Sequence, residues 1–512
     1  MAALTRLLIL GLAVTCSARA AAPNIVFFFI DALRADRCSC YGYRRATTPT
    51  LDGLAARGTL FENAFSQANV SLSSYTTVFT SQYPISHGVY NTHQKVGLSA
   101  RLLAETLRAH GYRTAAFVAG GHLMPAFGLD RGFDTYWTTP VPGSFFGTAP
   151  QALSWLEANR DGAPFFLFVH GYDAHAPYSP PLGFGDLHEP GYSGIVHQPG
   201  FLASDLLETI SDGTFDPLRL AFLQSSLLAH RGCTPKVRSL VPPFGPDVPA
   251  ESVVNPVTER DFGARLLSRP GPVGLPARMP SMRVSLSQRD LEHIGAHYDG
   301  GVTYADMWLG VLTHRLLEWG LTEKTLMVVA GDHGEDLGEH GRFGHGFGLF
   351  ETILHVPLVC AGPGVAASRR VTDLAGLIDL APTALDWAGI PADHQHQGRS
   401  LTRFLRPGAP AAPEKDQAVF SCTVGAHSLR TPNRHMICFQ PPDAGRLGEQ
   451  LLFDPVADPK ERVDFSKRRA NETGPLLGRL MDWLERYQTT TDAPLTNLNA
   501  VQRERLRIFG YW

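Results

Sequence analysis

Largely apolar runs that end abruptly at polar residues recur along this chain. Residues 24–30 read Asn-Ile-Val-Phe-Phe-Phe-Ile and stop at Asp31. The same form returns at 114–118, at 165–169 before His170, at 326–330 before Asp332, and at 356–360. Runs of this kind, buried on both faces, suit the strands of a parallel sheet. Between them, residues 100–110 and 305–319 carry helical patterns. The alternation predicts an α/β sandwich on a mostly parallel central sheet. Polar residues cluster just past the strand ends, where open α/β sheets place their sites.

From about 182 to 287 the pattern breaks down. Pro and Gly are frequent, as in Leu240-Val241-Pro242-Pro243-Phe244-Gly245-Pro246, and only 203–210 and 218–230 look helical. A stretch this long and irregular is either an insertion over the site that shapes substrate choice or a disordered surface excursion. Past the proline-rich 407–413, strand-like runs at 418–423, 428–430, 435–439 and 450–453 precede an amphipathic helix at 475–487. These predict a small antiparallel α+β subdomain over 411–512, after a main domain over 21–410.

A chain of 512 residues that is 44% hydrophobic can bury a large core. Its net charge of -3, without a basic run, argues against a nucleic-acid partner. Arg6, the apolar run 7–14 and Ala18-Arg19-Ala20 have the order of a secretory signal peptide over 1–20. The run is too short to span a bilayer, and no later segment is long and apolar enough. The expectation is an exported protein, periplasmic or extracellular, with no integral membrane segment once the signal is removed. Nothing in the pattern sets an oligomeric state. Export permits disulfides; among Cys38, Cys40, Cys233, Cys360, Cys422 and Cys438, the pair flanking a hairpin, Cys422 and Cys438, is the one expected to bond.

Two acidic strand ends stand out: Asp31, and the segment Asp332-His333-Gly334-Glu335. Carboxylate oxygens and an imidazole converging from neighbouring strand ends can coordinate a divalent cation. Ser71, at the start of a helical run, would add an oxygen ligand. A serine there is easier to deprotonate, because cation and helix N-terminus both favour the anion.

The segment from Asn69-Val70-Ser71 through Thr80 to Tyr83-Pro84 resembles the nucleophile segment of the sulfatase family, a branch of the alkaline-phosphatase superfamily. Thr48-Pro49-Thr50-Leu51-Asp52, the loop His170 to Tyr178, Tyr298-Asp299 through Asp306, Gly338-Glu339-His340-Gly341 through His345, and Leu452-Phe453-Asp454 with Asp458-Pro459 resemble its other motifs, in its order. The resemblance implies an alkaline-phosphatase-like fold with one bound divalent cation, Ca2+ first, with Mg2+ or Mn2+ as alternatives. It puts Asp31, Asp332 and His333, with Ser71, on metal-ligand positions and Ser71 on the nucleophile. It puts His175 on a histidine that contacts the ester oxygen, His345 on a leaving-group position usually held by Lys, and His122 near the nucleophile.

Several departures matter. The family's paired Asp is here Asp31-Ala32; Ser73 replaces Pro, Tyr75 replaces Arg, and Gly120 replaces the Lys of Lys-Trp-His. The Arg belongs to the signal for oxidation to formylglycine, so Tyr75 argues against that modification at Ser71. A formylglycine hydrate expels sulfate by breaking its own C–O bond, whereas an unmodified serine ester must be hydrolysed at sulfur or phosphorus. Three readings stand: a secreted hydrolase of small-molecule or glycan sulfate esters; a phosphoesterase or phosphoryl-type transferase using unmodified Ser71; and a catalytically impaired binder of anionic glycans.

Overall fold

The structure, a computed structural model, describes residues 22–139, 143–176, 178–192, 288–341, 343–346, 348–408, 414–439, 448–488 and 493–508. The signal peptide expected over 1–20 and both helical stretches of the insertion expected over 182–287 lie outside them.

Eight strands form the central sheet: β1 (Asn24–Ile30), β2 (Thr59–Phe65), β3 (Arg113–Val118), β4 (Thr135–Thr138), β5 (Phe165–Gly171), β6 (Thr325–Gly331), β9 (Leu358–Ala361) and β10 (Arg369–Gly376). Strands β7 (Asp336–Leu337) and β8 (Phe343–Gly344) pair separately as a short antiparallel ribbon. The order across the large sheet is β10-β2-β9-β6-β1-β5-β3-β4. Every pairing is parallel except those of β9, which runs antiparallel to both β2 and β6. The run at 356–360 thus has the burial expected of it but the opposite direction. An apolar run reports burial on both faces and carries no information on strand polarity.

All seven residues of β1 are buried, and they alternate between two cores. Ile25, Phe27 and Phe29 face a layer that includes α2 (Ser71–Thr80) and α3 (Leu103–Ala109); Val26, Phe28 and Ile30 face α1 (Pro49–Ala56), α4 (Phe145–Asn159) and α5 (Gln288–Glu318). Phe27 meets Phe166 edge-on at 5.3 Å and Phe28 stacks on Phe145 at 4.3 Å. At roughly 1.5–3 kcal/mol for each fully buried side chain of this size, these two layers hold the strand ends in place.

Beyond β10, β11 (Val419–Thr423), β12 (Ala426–Thr431), β13 (Arg434–Phe439) and β14 (Gln450–Phe453) form an antiparallel meander. Helix α6 (Ala470–Tyr487) covers it, with Trp483 stacked on Phe420 at 5.0 Å. The expected Cys422–Cys438 disulfide is absent, and both thiols are free and buried. Cys422 pairs with His427 across one side of β12, and Cys438 pairs with the same residue across the other. Two strand spacings, roughly 9.5 Å, separate them, beyond the reach of a disulfide. Among the described residues no helix is long and apolar enough to cross a membrane.

Candidate active site

Strands β1 and β6 are in register, with Ile30 beside Gly331, so the next residues of each, Asp31 and Asp332, emerge side by side. The chain turns sharply after Asp31 because Ala32 adopts a left-handed φ of 57°, a conformation costing a non-glycine residue about 1–2 kcal/mol. Three hydrogen bonds hold it. Ala32 N–H donates to Asp332 Oδ1 at 3.1 Å, Tyr298 O–H donates to the Ala32 carbonyl at 2.7 Å, and Arg34 N–H donates to Tyr298 Oη at 3.0 Å. The second Asp of the family pair is therefore replaced by a residue whose backbone, rather than its side chain, serves the site.

Asp332 Oδ1 also accepts from His333 N–H at 2.9 Å. Its Oδ2 and the Oδ1 of Asp31 are buried without a hydrogen-bond donor. Ligand atoms of Asp31, Asp332 and His333 all lie within 4.8 Å of one another. Burial first, and then the charge of Asp332, push the Asp31 carboxyl well above the usual carboxylate range. Orphaned carboxylate oxygens beside an imidazole are costly in a dry pocket. They fit the donor set of a hard or borderline divalent cation.

Ser71 opens α2. Its N-cap, Val70, is extended and makes no side-chain cap, so no side chain of the N-cap offsets the positive end of the helix dipole. Ser71 Oγ lies 3.1 Å from His333 Nε2. His333 Nδ1 sits 2.9 Å from the Gly334 carbonyl, which can only accept; Nδ1 thus carries the proton and Nε2 offers its lone pair. Ser74 O–H donates to the Asp332 carbonyl at 2.7 Å, fastening the helix to the loop that carries Asp332 and His333.

Three more sequence-identified histidines gather here. His345 packs against His333 with ring centres 4.3 Å apart and against His175 at 4.8 Å. His122 joins them through Tyr172: its backbone N–H donates to Tyr172 Oη at 3.3 Å, and the Tyr172 ring meets His175 edge-on at 5.3 Å. Burial lowers the basicity of His122 and His345 and holds His175 down to about 3, so all three favour the neutral form. His175 Nδ1 is bonded to the Ala176 carbonyl. The loops are tied across the pocket: Asn69 Nδ2 donates to the Gly348 carbonyl, and Gly346 N–H donates to the Asn69 carbonyl. Gly121, with φ 58°, lets the His122 turn wrap Tyr172; a Cβ there would come within 2.5 Å of Tyr172 Oη.

Every sequence-identified site residue thus reaches one pocket, and two others join them. Glu335 is fully buried, with Oε1 3.1 Å from His345 Nδ1, and burial raises its carboxyl to about 7. His170 lies inside β5, one residue further than the apolar run suggested, with Nε2 3.1 Å from Asp31 Oδ2. The signal for His170 was a lone polar residue ending an apolar strand; for Glu335 it was a carboxylate two residues past His333. Tyr75 is a core residue, packed edge-on against Phe29, Phe168 and His170 at 5.3–5.7 Å. Arg34 is buried but committed elsewhere, to Asp36, Glu339 and the Glu335 carbonyl.

The sequence profile named Sulfatase matches residues 23–390. Arylsulfatase K of Bos taurus is 23% identical over 497 residues, covering 89% of this chain and 80% of its own. The arylsulfatase of Clostridium perfringens is 23% identical over 465 residues, covering 86% and 90%. Among solved structures, a protein in complex with its substrate D-glucosamine-2-N,6-O-disulfate superimposes with a TM-score of 0.64 at 20% identity, covering 91% of this chain and 98% of that one. The phosphonate monoester hydrolase of Agrobacterium radiobacter does so with a TM-score of 0.64 at 21% identity, covering 90% and 95%. At such identities the superpositions speak for the fold, which is the alkaline-phosphatase-like sandwich. The profile match spans most of the described core and every strand that carries the site, and the chain belongs to the sulfatase family.

Proposed function

We propose that this protein is a metal-dependent hydrolase of sulfate esters whose nucleophile is residue 71. The observation that carries the reading is Ser71 Oγ at a helix N-terminus, 3.1 Å from His333 Nε2 and beside the carboxylates of Asp31 and Asp332. The arylsulfatase names of relatives covering most of this chain support a sulfate ester as the substrate. Asp31, Asp332, His333 and Ser71 would hold the cation, which when bound supplies Lewis-acid stabilisation and a lower pKa at the nucleophile oxygen.

The chain's own residues do the rest. The open first turn of α2 favours negative charge at Oγ. The Nε2 lone pair of His333 serves Ser71 or the cation, one at a time. The side chains of the site are buried, which strengthens every charge–dipole contact among them. His345, held by Glu335, and His175, held by the Ala176 carbonyl, stand together as the groups that meet the departing ester oxygen. The leader reading makes the enzyme exported, periplasmic or extracellular, with its catalytic portion over 21–410.

A second reading, phosphoester cleavage or phosphoryl transfer by an unmodified serine, is favoured by Tyr75. Its ring fills the core where the oxidation signal has Arg, and a serine ester hydrolyses more readily at phosphorus with metal assistance. Release of sulfate from aryl and glycan sulfate esters, and of alcohol from phosphate and phosphonate esters, should be measured with each of Ca2+, Mg2+ and Mn2+ and with a chelator. Cation-dependent sulfate release supports the first reading; turnover confined to phosphorus esters replaces it with the second.

A further inference from the structure

We propose that His170 is a positioning residue for the cation site, setting the orientation of Asp31 through a single-tautomer hydrogen-bond chain from the Ala119 backbone. The inference rests on the reading that Asp31 is a cation ligand. It goes beyond that reading by giving a role to the first residue of the loop His170 to Tyr178, which the resemblance to the family makes neither a ligand nor a nucleophile.

The chain of contacts is directional. Ala119 N–H points at His170 Nδ1 at 3.3 Å, so Nδ1 must be the acceptor. A neutral imidazole with an accepting Nδ1 carries its proton on Nε2. That Nε2–H lies 3.1 Å from Asp31 Oδ2 and donates to it. Asp31 is thereby fixed with Oδ2 satisfied and Oδ1, which has no donor, left for the cation. The opposite tautomer would set lone pair against carboxylate and leave Ala119 N–H facing another N–H.

The imidazole has no freedom to do otherwise. It is fully buried, stacked on Phe168 with an interplanar angle of 6°, and met edge-on by Tyr75 at 5.3 Å and Tyr172 at 4.7 Å. Its backbone is pinned as well, because Thr148 O–H donates to the His170 carbonyl at 3.0 Å and Asp31 N–H donates to the adjacent Gly171 carbonyl at 3.1 Å. Tyr75, which stands where the family has Arg, thus forms one wall of the cage around His170. A partner that hydrogen-bonds a metal ligand typically carries 10–100-fold of metal affinity.

The test compares wild type with His170→Gln, His170→Asn and His170→Phe as full chains, titrating each with Ca2+, Mg2+ and Mn2+ by calorimetry or chelator competition. A Gln amide reaches the Nε2 position and can donate to Asp31; an Asn amide reaches only the Nδ1 position. The expected result is 10–100-fold weaker binding in His170→Asn and His170→Phe and binding within about threefold of wild type in His170→Gln. Equal dissociation constants for the Gln and Asn variants overturn the inference even if His170→Phe fails to fold. Wild type that binds none of the three cations overturns the cation reading, and this inference with it; wild type that binds while all folded variants match it overturns the inference alone.

Discussion

Replacing Asp332 by Asn should stabilise the cation-free protein and abolish its response to divalent cations. In the folded chain the carboxylates of Asp31 and Asp332 have ligand atoms no more than 4.8 Å apart in a site closed to water. At an effective dielectric of about 20, two full charges at that distance would repel by about 3 kcal/mol, an upper bound on the gain because burial and the Asp332 charge already favour a proton on Asp31. Asparagine keeps the Oδ1 that accepts from Ala32 N–H and His333 N–H. It puts an N–H donor where the unpartnered Oδ2 stood, turning repulsion of Asp31 into a hydrogen bond. Unfolding entropy of about 2.1 cal/mol/K per residue makes 1 kcal/mol worth about 1 °C in a chain of this length. Thermal unfolding in a chelator at about pH 8 should therefore show Asp332→Asn melting up to about 3 °C above wild type. With cation at about 1,000 times its Kd, wild type gains about 4 kcal/mol, hence about 4 °C, and the variant gains nothing. The two melting curves should exchange order when the cation is added. A variant that melts below wild type in chelator and still gains as much from the cation would refute this account of the site.

Three further outcomes follow. Glu335→Gln, measured without cation, should match wild-type stability near pH 4.5 and exceed it increasingly toward about pH 8. Lifting a buried carboxyl from 4.5 to about 7 makes the folded state bind the extra proton, so wild type loses up to about 3 kcal/mol as pH rises through that window; a difference that does not vary with pH would contradict this. His345→Ala should slow alkyl esters about one to two decades more than nitrophenyl esters, since only a poor leaving group needs a proton, which the Glu335 carboxyl, raised to about 7, can pass through the neutral His345 ring; parallel losses would reduce His345 to a loop support. Alkylation in denaturant without reductant should label both Cys422 and Cys438, and a peptide joining them would contradict the strand register.

Much of the scaffold was legible because burial leaves a plain trace. The all-apolar β1 ending at Asp31 placed a strand, a core and a carboxylate at once, and the Asp332-His333 segment did the same for β6. What the pattern could not carry was relation between strands. Residues 358–361 look like their parallel neighbours, yet run the other way, because two-sided burial is blind to direction. The cysteine pairing failed for a similar reason: a strand, β12, lies between the two thiols, and spacing along the chain does not reveal it. His170 escaped because a polar residue at the end of an apolar run reads as the start of a loop, when it is the last-but-one residue of β5. Tyr75 was legible as a departure from the family, but its meaning was not. Only packing shows that the ring belongs to the core and encloses His170.

The mass of the peptide containing Ser71 tests the proposed nucleophile most directly. Protein quenched during turnover of a sulfate ester, with cation present, is digested and the peptide spanning Ser71 is weighed beside the same peptide from resting enzyme. The account requires the quenched peptide to gain the mass of one sulfuryl group on residue 71, and Ser71→Ala to lose several orders of magnitude in turnover while keeping most of its cation-induced stabilisation. Turnover without any adduct on that peptide, together with a Ser71→Ala variant within about tenfold of wild type, would contradict it.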